Sequence, residues 1–389
     1  MSSQGPKSPR SLLCVVPYPA NTGFAWNYIE GLYAGVSDLL SQEGISTFVA
    51  YPIIEAPPIP LQESSATPVL LDASLGTIRS IVSTMVAIRR LKVDTLYFTD
   101  FGMWHWALPL LRLSGAKWIV AHDHTSGHRD IPTGLKRTFK WIKARIPGMT
   151  ADRILTVSEF VARRQRDVSL APPRRVFTVL NGLPLPKTNG EWDKQLLPSV
   201  FDGRPIVTCV CRAAPEKGVD VLFRAFDSLL HAWPATHPRP VLVYVGDGPA
   251  MSQLEVLRES LPSANDIHLA GYRSDVHAFL RLATVCAVPS LWEDACPLGV
   301  LEPMAWGKPV VASAVGGVPE EINSPDVGVL VPKGDERTLA GALRDLLLDD
   351  ARRDLIGRAA RLRIANELSR GKHLASIASH IRRVSPEER

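Results

Sequence analysis

The sequence predicts an α/β protein of two domains, each a parallel sheet with helices on both faces. Three observations carry this expectation. The chain has 389 residues, about twice a usual domain of roughly 100–200 residues. Short apolar, β-branched runs alternate with longer stretches of helical period, and such strands belong to parallel sheets buried on both sides. Residues 182–205 form a break rich in Pro, Gly and polar residues, with weak periodicity. The expected division is a first domain over 1–184, a linker over 185–204 and a second domain over 205–370. A C-terminal helix at 371–389 is expected to rejoin the first domain.

In the first half, strands are expected at 12–16, 46–50, 94–98, 117–121, 153–157 and 176–180. In the second half they are expected at 206–211, 241–245, 267–270, 285–288, 309–312 and 329–331. Helices fall between them. One is marked by Leu339, Leu343, Leu346 and Leu347 behind a capping Asp335. Lys7 and Arg10 before the first apolar run imitate a signal peptide, but Pro17 ends that run too early, so it reads as a buried strand. A bilayer span needs about 20 apolar residues, and the uncharged stretch 11–29 is broken by Pro17, Pro19, Asn21 and Gly23. The expected protein is soluble and cytoplasmic, or attached to the inner face of the plasma membrane. Five cysteines with no CxxC pair agree with a reducing compartment. With 46% apolar and 21% charged residues, the composition excludes a disordered or disulfide-scaffold chain. The net charge of +5 suits an anionic partner without choosing one. Two Rossmann-like domains are expected to leave a cleft at the carboxyl ends of their strands, where ligands normally bind.

The most informative segment is Asp294-Ala295-Cys296-Pro297-Leu298-Gly299-Val300-Leu301-Glu302. A strand runs into an acidic loop, and a helix starts near Pro297, a favoured first helical position. Unpaired N–H groups at a helix start attract an anionic or hydroxyl-rich ligand. Carboxylates flanking that start can bind neighbouring hydroxyls in pairs. Taken alone, the two acids are better read as capping and solubilising the helix.

Together with its surroundings, this segment resembles the acid-x7-Glu motif of the retaining glycosyltransferases with the GT-B fold, the large group called family 4. Cys211-Arg212-Ala213-Ala214-Pro215-Glu216-Lys217-Gly218 is similar to the G-R-x-x-x-x-K-G segment, with Cys211 in place of the usual glycine. Gly246-Asp247-Gly248-Pro249, Gly271-Tyr272-Arg273-Ser274-Asp275 and Gly316-Gly317-Val318-Pro319-Glu320 match the family's three further turns. Val157-Ser158, Asn181-Gly182 and Ala121-His122-Asp123 match landmarks of the first half. The match is dense from about 206 to 322 and thin before Ser158.

The resemblance implies a GT-B architecture of two Rossmann-like domains facing each other across a cleft. It implies transfer of a sugar from a nucleoside-diphosphate donor to a hydroxyl acceptor, with retention at the anomeric carbon. His122, Arg212, Lys217 and Asp294 are the implied catalytic residues. Gly23, Gly246, Tyr272, Arg273, Cys296, Pro297, Leu298, Gly299 and Glu302 are the implied donor-binding residues. Two cations near a helix start can stabilise the charge of a departing diphosphate without a metal. No Asp-x-Asp metal motif stands out, and no cofactor is expected beyond the donor substrate. His122, His124 and His128 with Asp123 lack a ligand set of metal spacing nearby. Asp294 stands where the family motif starts with Glu. Only one glycine of the usual amino-terminal pair, Gly23, is kept.

Residues 129–145 hold six basic residues and one acid. Over 132–146, Leu135, Phe139, Ile142 and Ile146 mark one helical stripe flanked by Lys136, Lys140 and Lys143. That pattern suits an anionic membrane surface, and suits equally a core-facing stripe with a solvated rim. No fold signature for nucleic-acid binding accompanies it. The expected acceptor is a lipid-linked saccharide or another precursor of a cell-surface glycan. Three other functions compete with transfer. An epimerase or phosphorylase shares paired Rossmann-like domains, although no pyridoxal-phosphate lysine segment is identifiable. An NAD-dependent oxidoreductase would need G-x-G-x-x-G after strand one, and 17–23 offers nothing of that form. A non-catalytic sugar-nucleotide-binding protein would neither hydrolyse nor transfer the donor.

Overall fold

The computed structural model describes residues 11–22, 24–187 and 202–382. Its backbone divides into two compact units, Met1–Leu180 with Gly371–Arg389, and Asn181–Arg370.

The first unit runs β1 Ser11–Val15, α1 Phe24–Ser41, β2 Ser46–Tyr51, β3 Ala66–Leu70, α2 Ile78–Arg90, β4 Thr95–Thr99, α3 Leu108–Ser114, β5 Trp118–Asp123, α4 Gly134–Lys143, β6 Arg153–Thr156, α5 Glu159–Asp167 and β7 Val176–Thr178. The second runs β8 Ile206–Val210, α6 Val219–His231, β9 Val241–Val245, α7 Met251–Ser260, β10 Ile267–Leu269, α8 Val276–Leu282, β11 Val285–Val288, α9 Leu298–Ala305, β12 Val310–Ser313, α10 Val318–Glu321, β13 Val329–Val331, α11 Glu336–Leu348 and α12 Asp350–Asn366. The last helix, α13 Arg370–Ile381, packs in the first unit.

The sheet orders are β3-β2-β1-β4-β5-β6-β7 and β10-β9-β8-β11-β12-β13. All pairings within both sheets are parallel. Strand order therefore reverses at β1/β4 in one sheet and β8/β11 in the other, the crevices where such folds bind ligands.

Two-sided burial explains the apolar strands. Leu12 and Cys14 of β1 join the core formed with α1 and α13, including Leu32, Ile377 and Ile381. Leu13 and Val15 point into the opposite core with α2 and α3, including Ile81 and Leu111. In the second unit Leu242 and Tyr244 of β9 face Phe223 and Phe226 of α6. Val241, Val243 and Val245 face Phe279 of α8. The Leu339, Leu343, Leu346 and Leu347 stripe of α11 is buried behind the Asp335 cap, whose carboxylate accepts from Thr338 N at 2.9 Å. All five cysteines are free thiols.

Two expectations need correction, and one open alternative closes. Strand β3 was not anticipated: Ala66-Thr67-Pro68-Val69-Leu70 holds a proline and lies at the sheet edge, where a missing N–H is tolerated. Several strand ends lie one or two residues from their expected positions; β7, for example, stops at Thr178. Of the two readings left open for the basic helix, the core-facing one does not hold. Helix α4 has no buried residue, with Leu135 89% and Phe139 70% exposed.

Candidate active site

In the second unit the loops leaving β8 and β11 lie side by side at the switch point, because those strands are neighbours. Lys217 ends a short turn, Pro215–Lys217, after β8. The next residue, Gly218, has φ +65°, and a Cβ there would lie 2.2 Å from the Pro289 carbonyl oxygen. Only glycine lets the two loops approach this closely. Leu291 N donates to Glu216 O at 2.9 Å and laces them together.

This contact delivers Lys217 to Asp294. The ammonium donates to Oδ1 at 2.7 Å and Oδ2 at 2.9 Å, and Ser290 Oγ donates to Oδ2 at 2.9 Å. Asp294 is 7% exposed. Its backbone is fixed from the other side by the Gly316-Gly317 turn, with Gly317 N donating to Asp294 O at 2.8 Å. Gly316 has φ +54°, and a Cβ on it would sit 2.1 Å from that same oxygen. The acidic loop is thus clamped between two glycine contacts, and Asp294 is held rigid for a partner.

The expected pair of cations is present, but each already has an acid. Arg212 reaches Glu216 at 2.6 Å on a largely exposed side chain, so it is the more mobile of the two. Glu293 turns away from Asp294 and pairs with Lys333 at 3.1 Å.

The remaining implied donor residues of the second unit lie on further loops and on α9. Gly246 follows β9, and its N–H donates to Gly271 O at 2.9 Å. Tyr272 is exposed. Arg273 grips Asp275 through two hydrogen bonds of 2.8 and 2.7 Å. Pro297 is the N-cap of α9 rather than its first residue, so Leu298 and Gly299 form the first turn. Cys296 is buried; its carbonyl accepts from Asn181 Nδ2 at 3.0 Å, and its thiol donates to Glu321 Oε1 at 3.1 Å. Burial, then Glu321 beside it, pushes that thiol well up, so it is a structural group. Glu302 sits on α9 and is 8% exposed. It lines a cavity of about 300 Å³ with Leu183, Pro184, His277 and Trp306. Burial pushes its carboxyl up to about 7. Gly23 lies outside the described residues.

In the first unit His122 is the penultimate residue of β5 and has no exposed surface. Its Nδ1 is hydrogen-bonded to Tyr97 OH, and its Nε2 is buried with no partner among the described residues. Burial, reinforced by His124, holds the ring neutral. The His124 ring lies over it at 4.0 Å between centroids, and His124 N donates to Asp100 Oδ1 at 2.8 Å. Neighbouring Asp123 is tied elsewhere. Burial alone would raise its carboxyl, but Arg164 at 3.0 Å, with Thr125 and Gln165, holds it below the usual range. Among the described residues no group of His, Cys, Asp and Glu is placed to hold a metal ion.

Sequence reasoning missed Ser290 and Glu321, and weighed His124 only as a metal ligand. Ser290 carried a usable signal, a small polar residue directly after a buried strand and four before Asp294. Removing its hydroxyl in Ser290→Ala should destabilise the protein by about 1 kcal/mol, measured by denaturant unfolding.

Two cations and the buried Asp294 at the switch point, with the buried Glu302 on α9, suit a ligand that is anionic at one end and rich in hydroxyls at the other. Comparison with known proteins identifies the family. Residues 40–186 match the family model for Glycosyltransferase Family 4, and 194–363 match that for Glycosyl transferases group 1. A GDP-mannose-dependent alpha-(1-6)-phosphatidylinositol monomannoside mannosyltransferase from Mycolicibacterium smegmatis is 31% identical over 288 residues, covering 69% of this chain and 71% of that protein. A glycosyltransferase structure from Rickettsia africae aligns with a TM-score of 0.79 at 20% identity, over 95% of this chain and 98% of the other. Anabaena Alr3699/HepE in complex with UDP aligns at 0.72 with 17% identity, over the same shares. The chain belongs to the family 4 glycosyltransferases, and its fold is GT-B.

Proposed function

We propose that this glycosyltransferase moves a sugar from a nucleoside-diphosphate donor to a hydroxyl acceptor with retention at the anomeric carbon. The observation that carries this reading is Lys217 bound through both oxygens of Asp294 at the β8/β11 switch point, eight residues before Glu302. Lys217 and Arg212 would meet the diphosphate, Asp294 the hydroxyls of the transferred sugar, and Glu302 those of the ribose. The acceptor oxygen bonds to the anomeric carbon on the face from which the diphosphate departs. The carbon–oxygen bond to phosphate breaks, its electron pair leaves with the phosphate, and a phosphate oxygen takes the acceptor's proton. The cations stabilise the charge that builds on the leaving group.

GDP-mannose in the name of the mycobacterial relative and UDP in the Anabaena complex support a nucleoside-diphosphate donor. The relative's phosphatidylinositol monomannoside supports a lipid-linked acceptor. A thermal-shift panel of UDP, GDP, ADP and their sugars tests the donor, since a ligand selective for the folded state raises its melting temperature. One base should stand out. No shift with any of them would remove the donor reading, and an epimerised but untransferred sugar would favour the epimerase.

Glu302 makes donor binding pH-dependent. Its carboxyl titrates near 7 when folded, against an ordinary value of 4.5. Its contribution to stability is therefore intact below about 4.5 and is lost as pH rises through about 7. Hydroxyls that donate to this carboxylate favour its charged form, so nucleotide binding should expel its proton. Nucleoside-diphosphate affinity is expected to rise about tenfold from about pH 6 to about pH 8, and Glu302→Gln should flatten the change. Titration calorimetry reads both, and an equal pH profile in the two proteins would exclude Glu302 from the site.

A further inference from the structure

We infer that Cys209 and Cys211 form a dithiol modification site, which a peroxide closes to a disulfide that disables the Arg212 loop. Cys211 stands in place of the usual glycine, so the pair belongs to this chain and not to the motif. Of the five free thiols, Cys14, Cys209, Cys286 and Cys296 are buried, and only Cys211 is half-buried. An oxidant arriving from solvent therefore meets Cys211 first.

Its nearest sulfur is already in place. Residues two apart in a strand share a face, and both cysteines lie on the side of the sheet that packs against Phe223 and Phe226 of α6. Cys209 Sγ is 3.9 Å from Cys211 Sγ. Two strand rises span about 6.7 Å, near the upper Cα separation for a disulfide. Strand β8 stops at Val210, however, and Cys211 lies at a bend. The hydrogen bond with Cys211, then burial, pushes the Cys209 thiol well up. Cys209 thus keeps its proton and acts second.

The Cys211 sulfur attacks one oxygen of the peroxide and the oxygen–oxygen bond breaks. The other oxygen takes the thiol proton and leaves as water. The Cys209 sulfur then attacks the resulting sulfenic acid. A sulfur–sulfur bond forms, and the sulfenic hydroxyl leaves with the Cys209 proton as a second water. Two thiols are oxidised and one peroxide is reduced.

A disulfide draws its sulfurs to about 2 Å. Around Cys211 there is no slack for that movement. Cys211 N donates to Val245 O at 3.2 Å, and its carbonyl accepts from Tyr244 OH at 2.9 Å. A Cβ on Gly246 would lie 1.9 Å from that carbonyl. Closing the bridge breaks this packing and displaces Arg212 and the Gly246 turn. The consequence for turnover rests on the transfer reaction proposed above.

Titration of the full chain with hydrogen peroxide, read by peptide mass mapping, tests the site. The tryptic peptide ending at Arg212 holds Cys209, Cys211 and no other cysteine. It should lose two hydrogens before any methionine is oxidised, and dithiothreitol should restore them, since strained disulfides are readily reduced. Sugar transfer should fall in step by about 10–10²-fold, the loss typical of a misplacement near 1 Å, and recover with the reductant. Cys209→Ala and, separately, Cys211→Ala should form no bridge, and Cys211→Ala should keep its rate under peroxide. An unchanged melting temperature verifies the fold of each. Methionine oxidation first, a wild-type Cys211 that stops at an oxygen adduct, or a bridge to Cys286 would overturn the site. A bridge with full transfer, or an equal loss in Cys211→Ala, would overturn its effect on the loop. Mass mapping needs neither donor nor acceptor, so the thiol site and the transfer reading fail separately.

Discussion

Lys217→Ala is expected to lower sugar transfer by about 10²–10³, the loss typical of one preorganised donor aimed at developing charge. Its ammonium is fixed by Asp294 and by the glycine contact behind it, so it needs no reorganisation when the leaving group becomes anionic. Arg212→Ala should cost less, about tenfold, because that side chain is largely exposed and must be drawn from Glu216. The Lys217 variant also strips Asp294 of its counterion, so part of the loss comes through the sugar-side carboxylate. A double-mutant cycle with Asp294→Ala separates the two. Residues that act as a unit give losses that do not add, so the double variant should be only slightly worse than the worse single one. Steady-state transfer rates near wild type in Lys217→Ala would remove it from the site.

Asp294→Ala should abolish transfer to a similar degree, about 10²–10³-fold, while leaving affinity for the free nucleoside diphosphate nearly intact. The carboxylate is assigned to the sugar, and the free nucleotide has none. Glu293→Ala should be much milder, since Glu293 is engaged with Lys333 at the surface. Asp reaches about 1 Å or more less far than the Glu usual in this family, a difference of one methylene. Here the backbone of Asp294 is pressed against the Gly316-Gly317 turn, with no room for even a Cβ on Gly316. A short acid on a clamped loop sets a fixed depth for the sugar, and Asp294→Glu should therefore change the preference among donor sugars. Transfer kinetics beside nucleotide titration decide the ranking of Asp294 and Glu293, and the reverse order would overturn the assignment.

The strands were legible because burial on both faces leaves continuous apolar runs, as in β1 and β9. Strand β3 was not, since edge position and Pro68 erase that pattern. The motif residues were legible one by one, but the ion pair between Lys217 and Asp294 was not. Those residues lie 77 positions apart and meet only because β8 and β11 are adjacent. His122 illustrates another limit. Its place at a strand end was readable, but sequence could not tell that the ring is sealed beneath His124 and bonded to Tyr97. The α4 stripe was ambiguous for a simpler reason: Leu135, Phe139 and Ile142 have the same spacing whether they face a core or the outside. Only the packing shows that they face outward.

Proton NMR of the anomeric centre, followed while the protein consumes an α-linked nucleoside-diphosphate sugar in the presence of a lipid-linked acceptor, tests the central claim most directly. The account predicts loss of the donor's anomeric signal, release of the nucleoside diphosphate and a new α-anomeric signal on the product. It also predicts that Asp294→Ala and Lys217→Ala leave the donor signal almost unchanged over the same time. A β-configured product, or a wild-type rate in either variant, would contradict it.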